Sequence, residues 1–251
     1  MLKIIISPAK KMIQDPDSLE CLGMPYFLEK TEKIKSRLQE MSYTELKKMW
    51  SCNDSIAELN CQRLEDMNLS RSVTPAILSY DGIRFKYMAP NVFTYDELDY
   101  VQNHLVILSG FYGALKPFDG VVPYRLEMQA KLSVDGSKNL YDYWADELYN
   151  YVTEESDTVI NLASDEYSKT IYKYLEGDKK FITCIFADLI DGKLIEKGTK
   201  CKMARGEMVR FMAENFIENP EEIKKFNRLD YEFSQENSSD DKYVFIQKQI
   251  G

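Results

Sequence analysis

The chain has 251 residues, 44% apolar and 29% charged, a balance that excludes a disordered polypeptide and allows a substantial core without disulfide staples. A net charge of −9 and a pI near 4.9 exclude nucleic-acid coating driven by bulk charge, and leave room for a local basic cleft only. Five cysteines with no C-x-x-C pair, and one histidine, His104, exclude a disulfide framework and a clustered zinc site, and suit reduced thiols.

In chain order, "LKIII" at 2–6 reads as a first strand. It is too short for the apolar core of a signal peptide, and no run approaches the ~20 apolar residues of a membrane span. A cytoplasmic protein with no membrane partner is expected. A helical region follows from about Tyr26 to Met67, with a capping box at Ser42–Glu45. Ser51 and Asn53 are caps for a helix carrying Ile56, Leu59 and Leu64. A second capping box, Thr94–Glu97, opens a helix with Leu98, Val101 and Leu105 on one face. His104 falls at the end of that pattern, where a cation suits the helix dipole.

"HLVILSGFYG" reads as a strand stopping at Ser109-Gly110, and "PYRLEM" alternates like a strand. "LYDYWADELYNYV" reads as an amphipathic helix with Leu140, Trp144, Leu148 and Val152 in register. "TVINLA" is a buried strand, followed by a helix with Tyr167, Ile171 and Tyr174 on one face. "FITCIFADLIDGKLIEK" is a hairpin turning at Asp191-Gly192. "MARGEMVRFMAENF" is a helix burying Met208, Phe211 and Met212, and the tail holds two short strands around a polar loop. Together these predict an α/β fold: one compact domain over 1–251, with a mixed sheet and helices inserted between the first two core strands.

Three of the predicted strands end in polar motifs: Ser7-Pro8-Ala9-Lys10, Ser109 to Gly113, and Asn161 to Glu166. In open α/β sheets, ligands bind outside the carboxyl ends of the strands. If the three strands are parallel neighbours, the motifs line one cleft. Asp165 and Glu166 are either first-turn acids behind an N-cap, Ser164, or the acid/base groups of a site. Asn161, a polar amide within an apolar strand, needs partners. Lys10 is a surface lysine or an anion ligand. Gly110 and Gly113 are turn glycines or a backbone nest for phosphate around Tyr112. Lys200, Lys202 and Arg205 crowd a helix start, where cations make sense beside a bound anion. The competing reading pairs Arg205 with a buried carboxylate such as Glu127 or Glu166. Arg125 and Glu127 share one face, as an ion pair or as cleft residues.

Taken together, "ISPAK" at 6–10, "LSGFYGALKPFD" at 108–119, "PYRLEM" at 123–128, "LYDYW" at 140–144, "INLASDEY" at 160–167, "KMARGEMVRF" at 202–211 and the "FN…Y.F" pattern at 226–233 are specific. With them the chain resembles, nearly end to end, the YaaA family, the peroxide stress response proteins of bacteria. The resemblance implies a DNA-binding protein with an unusual α/β fold, a basic cleft and a helix-hairpin-helix-like element. It implies a role in limiting iron-driven oxidative damage, and no settled reaction. The helix-hairpin-helix candidate spans the capped helix at 94–105 and the Gly110–Gly113 turn, in competition with a strand at 105–109. The chain departs from the family pattern at Tyr87-Met88, Asp230 and Ile246-Gln247, the last removing cationic character from the tail.

Two functions follow. In the first, Ser7, Lys10, Ser109, Gly110, Gly113, Arg125, Asn161, Ser164, Lys202 and Arg205 form an anion or nucleic-acid surface for double-stranded DNA, with Tyr112 stacking on a base. In the second, the same strand ends bind a nucleotide-like or nucleobase-like small molecule. Asp165 or Glu166 is then general acid/base, with Lys10 and Arg205 holding an anionic group and Asn161 orienting the substrate. No cofactor is expected, and no ligand spacing for a metal, iron included, is visible.

Overall fold

The computed structural model of the protein describes residues 1–15, 17–71 and 74–248. Strand β1 (Leu2–Ile6) opens the chain. A long insertion follows, made of helices α1 (Leu28–Gln39), α2 (Tyr43–Trp50), α3 (Asp54–Glu65), α4 (Ala76–Ser79), α5 (Ile83–Met88) and α6 (Tyr95–His104), with the short strand β2 (Thr74–Pro75) among them. The chain then enters β3 (Leu105–Ser109), β4 (Gly113–Leu115) and β5 (Gly120–Val121). Helices α7 (Leu140–Trp144) and α8 (Glu147–Thr153) lead to β6 (Thr158–Asn161) and α9 (Asp165–Tyr172). Strands β7 (Lys180–Ile190) and β8 (Lys193–Ile195), helix α10 (Gly198–Glu214), and strands β9 (Tyr231–Phe233) and β10 (Lys242–Gln247) complete it.

The main sheet runs in the order β4-β3-β1-β6-β7-β10-β9, with β8 folded back on the end of β7; β2 and β5 form a separate pair. Strand β1 sits between β3 and β6 and is parallel to both, in registers Ile4↔Leu105 and Leu2↔Thr158. Parallel pairing continues from β6 to β7 and on to β10, while β4, β8 and β9 are antiparallel additions. The sheet is mixed, as its alternation of strands and helices predicts. Because β1 is covered on both faces, Ile4, Ile5 and Ile6 are all fully buried, which is why the strand reads as an unbroken apolar run. The chain moves from β1 to β3 on one side and returns to β6 on the other. That reversal puts a crevice at the carboxyl ends of β1 and β6.

Local signals hold where the physics is local. Ser42 and Thr94 each form a complete capping box, and Asn53 caps α3 through its side chain. Asp191 and Gly192 both take positive φ in the β7–β8 turn, as a type I′ hairpin requires. Ser51, in contrast, closes α2 in the left-handed conformation and is not a cap of α3.

Other expectations give way to tertiary structure. The helical region at 26–67 is three helices. On α3 the buried face carries Ala57, Asn60 and Leu64, while Ile56 and Leu59 are exposed. The helix predicted at 140–152 breaks at Ala145 (φ 45°), yet Leu140, Trp144, Leu148 and Val152 are all buried. The segment 123–128 keeps its alternation, with Tyr124, Leu126 and Met128 inward, but has no strand beside it and forms no ladder. The helix-hairpin-helix expected at 94–113 is not there. Residues 105–109 pair with β1, and the glycine turn joins β3 to β4 antiparallel (Ser109↔Gly113), so the segment is helix, strand and β-hairpin.

Candidate functional site

Outside the ends of β1 and β6 lies a cleft of about 540 Å³. Its base is a serine pair. Ser7 Oγ accepts the Ser164 N–H at 2.8 Å and shares a hydrogen bond with Ser164 Oγ at 3.1 Å. The bend that presents Ser164 is built by Asn161, whose Oδ1 accepts the Ala163 N–H at 2.9 Å and whose Nδ2 donates to Thr183 Oγ1 at 3.3 Å. The walls are the 8–11 loop, the start of α5, the 124–127 segment, the start of α9 and the first turns of α10.

The most unusual group in the cleft is Arg84, on α5. It is 7% exposed. Its guanidinium donates to the carbonyls of Ser7 (2.7 Å) and Pro8 (3.3 Å), both at the exit of β1. Its Nε has no hydrogen-bond partner, and among the described residues no carboxylate lies within ion-pair distance. Burial, then the facing charge of Arg205, push its pKa well below the usual guanidinium range. A buried charge normally comes with a counter-charge, and this one has none among the described residues.

Arg84 is held there by the fit of α5 against α10. A Cβ on Gly206 of α10 would lie 2.1 Å from the Arg84 carbonyl oxygen, so only glycine lets the helices approach this closely. The same helix brings Arg205, whose side chain is 13% exposed, to the cleft. Among the described residues its one carboxylate contact is Glu196 at 3.5 Å, not Glu127 or Glu166, and its Nε has no hydrogen-bond partner. Lys202 stands exposed on the rim, whereas Lys200 turns toward Asp188 and Gln247. The N-cap of α10, Lys197, supplies no side-chain cap, so the first N–H groups of the helix are unfilled by a capping side chain.

Carboxylates are present but fewer. Six cations (Lys10, Lys11, Arg84, Arg125, Lys202, Arg205) and four acids (Asp81, Glu127, Glu166, Glu196) line the cleft, so a chain of net charge −9 carries a local excess of positive charge here. Lys10 pairs with Glu127 at 2.9 Å, and Arg125 approaches the same oxygen at 3.6 Å. Lys11 pairs with Asp81 at 2.5 Å. Glu166 accepts the Gln129 N–H at 3.3 Å; burial first, then the charge of Glu127, raise its pKa. Cys201 also lines the cleft, but its thiol donates to the Phe186 carbonyl, and burial and Glu196 push it up to about 11. It is therefore a poor source of thiolate at neutral pH.

Of the residues singled out in the sequence, Ser7, Lys10, Arg125, Ser164, Glu166, Lys202 and Arg205 meet in this cleft. Asp165 does not line it; its carboxylate accepts the Tyr172 hydroxyl at 2.8 Å on the exposed side of α9. Asn161 lies beneath the cleft as the bend-former. Ser109, Gly110, Tyr112 and Gly113 are buried in the core. The Tyr112 ring is fully enclosed, and Ser109 Oγ already accepts the N–H groups of Phe111 (3.1 Å) and Tyr112 (2.9 Å). Arg84 escaped the sequence reading. Its one signal is an arginine inside the short run that follows the Asp81-Gly82 turn, and that signal carries no ligand pattern. Among the described residues no group of three His, Cys, Asp or Glu side chains is placed to hold a metal ion, and no helix is long and apolar enough to cross a membrane.

The family model described as peroxide stress protein YaaA matches residues 2–237. A UPF0246 protein of Desulfitobacterium hafniense is 56% identical over 245 residues, covering 98% of each chain. One from Agathobacter rectalis is 58% identical over 247 residues, covering 98% of this chain and 99% of its own. One from Pediococcus pentosaceus is 49% identical over 249 residues. The chain belongs to the YaaA peroxide stress protein family.

Proposed function

We propose that this member of the YaaA family is a cytoplasmic protein that binds double-stranded DNA through the cleft and so helps limit iron-driven oxidative damage under hydrogen peroxide stress. The observation that carries the reading is Arg84: a buried guanidinium with no carboxylate partner among the described residues, beside a second arginine, Arg205, whose carboxylate contact is the long 3.5 Å approach of Glu196. Such a pair is stabilised by an anion supplied from outside, and the phosphate backbone is the anion DNA presents. Lys10, Lys11 and Lys202 on the rim meet neighbouring phosphates. Neutralised phosphates release their condensed cations, ferrous iron among them, so the bound duplex holds less of the metal that turns peroxide into radicals. The test is a salt titration of binding to a fluorescent duplex, wild type against Lys202→Ala/Arg205→Ala. Binding that weakens with salt and with the double substitution is expected. No salt-sensitive binding at low salt removes the reading.

Glu166 favours a second reading, an enzyme acting on a nucleotide-like small molecule. A carboxyl group held by burial at a raised pKa, in a cleft of small-ligand size, fits general acid/base work and adds nothing to duplex binding. Of the two adjacent acids, Glu166 alone reaches the cleft. Peroxide survival of cells carrying Glu166→Gln separates the readings: unchanged protection removes the enzyme.

A further inference from the structure

We infer that the deep end of the cleft, between Arg84, Arg205 and the first turn of α10, is a subsite for a phosphomonoester dianion borne on a nucleoside. The ligand is either a free nucleoside monophosphate or a 5′-phosphorylated DNA end. The inference rests on the reading of the cleft as an anion site and specifies which anion.

Charge matching is the first argument. Two guanidiniums face one another with a single carboxylate contact between them, at the long distance of 3.5 Å to a half-exposed Glu196. The Nε of both is unpartnered. A phosphodiester within a strand brings one negative charge. A terminal phosphate brings about 1.5 to 2, and one more oxygen to accept hydrogen bonds. The dianion is the form that balances two arginines.

Donor geometry is the second. Arg84 is fixed by the carbonyls of Ser7 and Pro8, so its remaining donors are pre-oriented rather than free to swing. Helix α10 begins at Gly198, which itself lines the cleft, with no side chain capping its first N–H groups. A helix N-terminus of this length, beside an arginine more than nine-tenths buried that has carbonyls but no carboxylate for partners among the described residues, offers two independent sets of donors to one phosphate.

Shape is the third. The strand ends close the floor of the cleft at Ser7 and Ser164. A strand running through would need an exit on the far side; a chain end does not. Pro8, Ala9 and Ile83 add an apolar lining against which a sugar or base can rest.

The experiment compares matched pairs at one salt concentration by fluorescence or calorimetry. The first pair is thymidine 5′-monophosphate against thymidine. The second is a hairpin duplex with a 5′-phosphate against the same hairpin with a 5′-hydroxyl. Closed circular DNA is the reference without ends. The phosphorylated member is expected to bind about tenfold tighter or more in at least one pair. Discrimination in the first pair identifies a free nucleotide as a ligand, and discrimination in the second alone identifies the DNA end. Equal affinity within both pairs overturns the inference, even if closed circles bind and the duplex reading stands. Unbound circles remove the duplex reading and leave the first pair decisive here. Arg205→Gln is expected to abolish the discrimination, and retained discrimination overturns the inference. Should that variant unfold, Arg205→Lys keeps the charge but loses the forked donor pair. Its discrimination must then fall below the wild-type value, and an unchanged value counts against the subsite.

Discussion

Two strand ends in this protein carry a serine beside a set of donors suited to phosphate, and they have opposite fates. At the end of β3, Ser109 turns its hydroxyl back onto the N–H groups of Phe111 and Tyr112 and onto the Tyr124 hydroxyl, which in turn meets Tyr80. The serine hydroxyl there is engaged by two backbone donors and a tyrosine of the same chain. At the ends of β1 and β6, Ser7 and Ser164 satisfy each other, and the arginines beside them are left with free donors. The first end is closed by its own side chain and reads as structure. The second is complete only with something else in it. Donor satisfaction, rather than the presence of glycines or serines, separates them.

The comparison breaks most sharply at Gly206. An alanine in the interior of a helix ordinarily stabilises by roughly 1 kcal/mol over glycine. Here the added carbon meets the Arg84 carbonyl, so Gly206→Ala is expected to destabilise by about 3 kcal/mol. A urea midpoint equal to or above wild type would mean that α5 and α10 do not meet this closely. Ser109→Ala comes next. It strips the acceptor from two buried N–H groups and a partner from Tyr124, at a cost of about 2 kcal/mol. Its binding of anions is expected to stay at the wild-type level, measured at a temperature where both proteins are folded. A lost affinity would put the β3 end in the site after all.

Arg205→Gln sharpens the other side. Removing one of two facing cations relieves repulsion in the empty cleft, so unliganded stability is expected to hold or rise by about 0.5 kcal/mol while binding falls. A loss of both together would make Arg205 a structural residue. The smallest effect belongs to Glu166. Its pKa is raised in the folded chain by burial and by Glu127, so above that value the charged form weakens the fold. As pH falls through the raised value toward the unfolded one, near 4.5, the folded state takes up its proton first and this part of the stability is recovered. Glu166→Gln is expected to flatten that pH dependence in urea melts, leaving a slight gain at neutral pH. An unaltered profile would mean that the carboxyl is not desolvated.

These effects also mark how far the sequence could be read. Capping boxes, the Asp191-Gly192 hairpin and the buried strands at 2–6 and 158–161 were legible because each depends on a few neighbouring residues. The meeting of Ser7 with Ser164 followed from one assumption, that their strands are parallel neighbours, and the sheet order has them so. Ile56 and Leu59 misled because apolar spacing on a helix does not say which face finds a neighbour. The 123–128 segment misled because alternation arises wherever an extended chain separates core from cleft, with or without a ladder. Arg84 could not be found at all. Its burial depends on a glycine far away in sequence, and on carbonyls at the other end of the insertion.

The serine pair also sets a clock. Ser7 and Ser164 are 157 positions apart, and the central strand on which the cleft is founded is made well before the strand it pairs with on the β6 side. At roughly 5–20 residues per second on the ribosome, some 8–30 s separate the synthesis of one hydroxyl from that of the other. Through that interval β1 is an apolar ribbon whose β6 edge has no partner, and nothing resembling the cleft exists. Sheets closed by such distant pairings fold slowly and expose their edges while they wait.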